Sequence, residues 1–102
     1  MATESAFILQ MEADIRYHSQ EIAKWQSSLN ALKAKRKGKS YQTGSRELYH
    51  SLIEFYGQTK GKQMWAAHLR NRREQTTNIR RHIWFHQAER RSLKQALAVY
   101  AK

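Results

Sequence analysis

Apolar residues recur along the first third of the chain at alternating steps of three and four: Ile8, Met11, Ile15, His18, Ile22, Trp25, Leu29 and Leu32. That rhythm returns every member to one narrow stripe of an α-helix, the pattern of coiled-coil or hairpin packing. It predicts a helix over 3–37. Thr3 is placed to cap its start, Glu4 lies in the first turn where an acid suits the positive helix end, and Lys33 to Lys37 sit where cations suit the other end.

The last two fifths repeat the rhythm with polar interruptions: Trp65, Leu69, Arg72, Thr76, Ile79, Ile83, His86, Arg90, Leu93, Leu97 and Tyr100. A second long helix over 62–101 follows. Pairing the two stripes antiparallel would set Ile8 and Met11 near Leu97 and Tyr100, and Leu29 near Ile79. Arg72, Thr76 and Arg90 then fall on the seam, where a buried unpaired charge is costly. Their side chains must either reach out along their apolar stems or share a polar seam.

Between these stretches, Leu48, Leu52 and Phe55 share one helical face with Tyr49, Ile53 and Tyr56 beside it. Ser45 opens this pattern and Gly57 is placed to close it, which predicts a short third helix over 45–57. The chain has no proline, and its four glycines (Gly38, Gly44, Gly57 and Gly61) all fall between positions 38 and 61. The long stretches on either side therefore lack a strong helix breaker, and 38–44 reads as a basic linker. No segment alternates with period two, so no sheet is expected. The expected architecture is all-α: one domain over 1–102, a long coiled-coil-like antiparallel helical hairpin with a short helix inserted at its turn. Phe7, Leu9 and Phe85 lie off the stripes, a surplus that a second copy would cover, so a homodimer is expected.

Composition narrows the function classes. Forty per cent apolar and 11% aromatic residues are enough for a folded chain. No apolar run approaches the length of a membrane span, and Met1-Ala2-Thr3-Glu4 lacks the basic start of a secretory leader. The absence of cysteine excludes disulfides, Fe–S clusters and thiolate zinc sites. A cytoplasmic protein without a cofactor is the expectation.

Charge changes the picture most. The net charge is +11, and it is unevenly placed. Residues 33–45 hold Lys33, Lys35, Arg36, Lys37 and Lys39 with no acid, and residues 58–102 hold eleven cations against Glu74 and Glu89. At about 100° per residue, Arg70, Arg73, Thr77, Arg80, Arg81, Trp84 and Arg91 fall within one arc of the last helix, away from the apolar stripe. Arginine forks bind phosphate oxygens in pairs, and an indole in such an arc can stack on a base. The alternating signs of a salt-bridged helix exterior are missing here. Nucleic acid, DNA or RNA, is the expected partner, bound through Arg70, Arg73, Arg80, Arg81, Trp84 and Arg91 with help from Lys33, Lys35, Arg36, Lys37 and Lys39.

Other chemistries find less support. His82 and His86 are four apart, as in the zinc metallopeptidase helix, but Ile83 stands where that motif needs glutamate. Gly38-Lys39-Ser40 and the 57–62 stretch lack the spacing of a phosphate-binding loop, and no serine–histidine–acid set or carboxylate pair is evident. A helix-turn-helix joined by Gln58-Thr59-Lys60-Gly61 is only a weak pattern. The run Arg81-His82-Ile83-Trp84-Phe85-His86 resembles the arginine-to-histidine motif of HEPN ribonucleases, all-helical domains that dimerise over RNA. That resemblance implies Arg81 steadying a phosphate and His86 assisting attack by the 2′-hydroxyl. Read together, the residues favour a non-enzymatic nucleic-acid-binding accessory or regulatory protein, within a larger nucleoprotein complex. The alternatives are a helical adaptor or inhibitor of viral or plasmid type, docking on an acidic protein surface, and the HEPN-like ribonuclease.

Overall fold

The computed structural model describes residues 2–100, with side chains from Ser5 onward, so the expected cap at Thr3 and Glu4 lies outside the described side chains. Among the described residues all regular structure is helical: α1 spans Ala2–Lys37 and α2 spans Lys39–Tyr100. Thirty-six residues give α1 a length of about 54 Å at 1.5 Å per residue.

The break between α1 and α2 is a single residue. The amide of Gly38 donates to Lys35 O at 3.2 Å, and Gly38 O already accepts from the Gln42 amide at 3.1 Å to open α2. The Gln42 side chain donates to Lys37 O at 3.4 Å, satisfying a carbonyl that the end of α1 leaves open. The expected linker 38–44 is therefore helical from Lys39 on. A separate third helix over 45–57 is not formed either: those residues belong to α2, which is kinked at Gly57. There φ is 84° and ψ 171°, a conformation open essentially only to glycine. The kink divides α2 into a limb 39–56 and a limb 58–100, and residues 58–61, expected as a loop, are helical.

The chain packs as two compact units, Met1–Ser27 with Ile79–Lys102 (unit 1), and Ser28–Asn78 (unit 2). In unit 1 the start of α1 runs antiparallel to the end of α2. Phe7 meets Tyr100 edge-on at 5.4 Å, and Trp25 stacks flat on His82 at 4.1 Å. Met11, Ile83 and His86 are its most buried side chains.

Unit 2 turns back on itself at Gly57. The two limbs of α2 run antiparallel, with Tyr49 edge-on to Trp65 at 5.5 Å. Gly61 lies so close to the backbone at Leu52 and Ile53 that a Cβ built on it would stand 2.7 Å from Leu52 O. Leu29, from α1, is buried in this unit. Cores this thin leave large apolar side chains outside, including Leu9, Phe55, Trp84 and Val99.

Candidate nucleic-acid interface

The polar residues on the two stripes have partners across the helix pairs. In unit 1 His18 and His86 face each other through their Nδ1 atoms at 2.8 Å, so one ring donates and the other accepts. Tyr17 and Phe85 stand edge-on to this pair. One turn along, Arg90 donates to Ser19 Oγ at 3.3 Å. In unit 2 the Arg36 guanidinium donates to Thr76 Oγ1 at 2.6 Å, to Arg72 O at 3.0 Å and to Gln75 Oε1 at 3.2 Å. Arg72 lays its guanidinium over the Tyr41 ring, 4.9 Å from the centroid, a cation–π contact. The seam expected to carry Arg72, Thr76 and Arg90 is thus polar and occupied.

This pairing sorts the cations into inward and outward sets. Arg36, expected among the nucleic-acid contacts, is half-buried and turned into unit 2; its buried Nε has no hydrogen-bond partner among the described residues. Arg72 and Arg90 are likewise half-buried. The outward set in unit 2 includes the expected Arg70, Arg73, Lys33, Lys35, Lys37 and Lys39, together with Arg46, Lys60 and Lys62, all exposed. In unit 1 it includes the expected Arg80, Arg81 and Arg91, with Trp84 beside them at 70% exposed, and also Arg16, Lys24 and Lys94. Among the described residues no carboxylate pairs with Arg70, Arg73, Arg80, Arg81 or Arg91. Their forks face water, the state in which they are available to phosphate oxygens.

A shallow furrow of about 520 Å³ continues the outward surface of unit 1, bounded by Gln87, Arg90, Arg91, Lys94, Gln95 and Ala98. Lys94 and the two glutamines were not singled out by the sequence reading. The signal was there: Gln87, Arg91, Lys94 and Ala98 step by four, three and four from Trp84's side of the helix.

The histidines are engaged apart from one another. His82 stacks on Trp25 while His86 meets His18, so the i, i+4 pair does not converge on a common point. Among the described residues no three of His, Asp and Glu gather as metal ligands. Of the arginine and histidine that resemble the HEPN motif, Arg81 is exposed and His86 is only 7% exposed against His18. Among the described residues no helix is long and apolar enough to cross a membrane.

No family model, curated protein or solved structure matches the chain. The functional reading therefore stands on the side chains themselves.

Proposed function

We propose that this protein is a non-enzymatic nucleic-acid-binding accessory protein of the cytoplasm that grips phosphates through its outward arginines. The observation that carries the reading is the exposure of five guanidiniums, Arg70 and Arg73 in unit 2 and Arg80, Arg81 and Arg91 in unit 1, none paired with a carboxylate among the described residues. Lys33, Lys35, Lys37 and Lys39 add charge to unit 2. Contacts of this kind give affinity with little reading of sequence, because phosphates are the same at every step.

The test is a salt titration. Each phosphate neutralised on duplex DNA contributes about −0.9 to the slope of log K against log salt, so five engaged arginines give a slope of about −4 to −5. The double variant Arg80→Glu, Arg81→Glu flattens that slope by about 2 while leaving the helical circular dichroism unchanged. A slope near zero, or a natural complex that survives nuclease treatment intact, overturns the proposal in favour of an acidic protein surface.

The exposed Leu9, Phe55 and Val99 support a second copy as part of the working assembly. Sedimentation equilibrium then gives twice the 12.1 kDa chain mass; a concentration-independent single-chain mass rejects the dimer.

A further inference from the structure

Trp84 contributes little to the packing of unit 1. Its indole is 70% exposed, whereas the other two tryptophans are half-buried and engaged, Trp25 on His82 and Trp65 on Tyr49. Arg80 and Arg81 precede Trp84 by one helical turn, and Gln87 and Arg91 follow by one and two. By helical geometry these four positions lie within about 60° of Trp84 around the axis. An uncovered indole loses free energy to water, so its position among unpaired cations asks for a partner that offers both a flat apolar face and negative charge.

A duplex satisfies only half of that demand. Its bases are paired and stacked inside, so arginines reach phosphates but a ring on the outer face of a helix finds no free base face. A single strand satisfies both: its bases are free, each has a π-face, and its phosphates follow at every step.

We propose, resting on the nucleic-acid reading above, that unit 1 binds single-stranded nucleic acid with one base stacked on Trp84. The phosphates on one side of that base go to Arg80 and Arg81, and those on the other run into the furrow where Arg91 and Lys94 stand with the amides of Gln87 and Gln95. From Arg81 to Arg91 the helix rises about 15 Å, room for about four nucleotides at 3.4 Å per stacked step. Stacking is indifferent to base identity, so the surface takes single strands of any sequence, RNA or DNA.

The experiment compares fluorescein-labelled oligo(U), oligo(dT) and a blunt DNA duplex of equal length by anisotropy at low salt. The parent protein binds the single strands more tightly than the duplex. Trp84→Ala weakens both single strands by about tenfold or more and the duplex by less than about twofold. Trp84→Phe, which keeps a ring, restores most of the loss. Oligo(dT) quenches indole emission in the parent and not in Trp84→Phe. Circular dichroism guards against misfolding, which an exposed position makes little demand on. Arg80→Glu weakens all three probes, and serves as the control for phosphate binding. If no probe binds the parent, the nucleic-acid reading itself falls. If all bind but the duplex is preferred, or Trp84→Ala is neutral or weakens all three equally, the single-strand inference falls and the phosphate grip stands.

Discussion

Gly61 offers the sharpest test of the packing in unit 2. It is buried within a helix, where alanine is ordinarily the better residue by about 1 kcal/mol. A Cβ at Gly61 would, however, stand 2.7 Å from Leu52 O, 2.9 Å from Leu52 C and 2.9 Å from Ile53 Cα. All three are backbone atoms of the facing limb, so no side-chain rotation relieves the overlap and the limbs must move apart. Overpacking of this kind costs about 1–3 kcal/mol, and backbone atoms place this case in the upper part of that range. After the propensity gain, Gly61→Ala loses about 1–2 kcal/mol. For a chain of this size that lowers the midpoint of thermal unfolding by about 5–10 °C, read by circular dichroism. Gly44→Ala provides the matched control: its Cβ meets nothing within 4 Å, so only the helix propensity changes and the midpoint rises by roughly 4–8 °C. A Gly61→Ala protein that melts at or above the parent would refute the close approach of the two limbs.

The remaining predictions concern the histidine pair and the outward surface. His18→Ala leaves the buried Nδ1 of His86 without its partner and costs about 1–3 kcal/mol in urea unfolding. The double variant His18→Ala, His86→Ala loses less than the two single losses combined, and strict additivity would mean the rings do not interact. Charge reversal at Arg80 and Arg81 changes unfolding free energy by no more than about 0.5 kcal/mol, since both are exposed, so any loss of binding there is electrostatic rather than structural.

The helical class was legible because proline is absent and glycine is confined to 38–61. The stripes also placed the polar seam residues correctly, since a step of three or four carries Thr76 and Arg90 to the same side as Ile79 and Ile83 whatever their chemistry. What misled was treating the glycines alike. A glycine in a helix interior costs about 1 kcal/mol, which tertiary packing readily offsets. At Gly44 and Gly61 the helix continues, and only Gly57 takes a positive φ. The continuing stripe was present in Tyr41, Ser45, Tyr49 and Leu52, half-buried at steps of four, four and three, but the hydroxyls of Tyr41 and Ser45 kept its first half out of an apolar count. Arg36 was misjudged for the opposite reason. It sits among four lysines that face water, and nothing in that run marks it as the one on the inner side except its distance of four from Leu32.

Apolar stripes alone would let two paired helices slide past each other by seven residues, because leucine and isoleucine fit many neighbours almost equally well. In unit 1 such a slip would bring His18 opposite Ile79 or Leu93 in place of His86, leaving a ring nitrogen with no counterpart and Arg90 without Ser19. Each orphaned polar group costs about 1–3 kcal/mol, a large share of the stability of so small a core. The mixed seam therefore fixes the register of the helices, trading some adhesion for a single alignment.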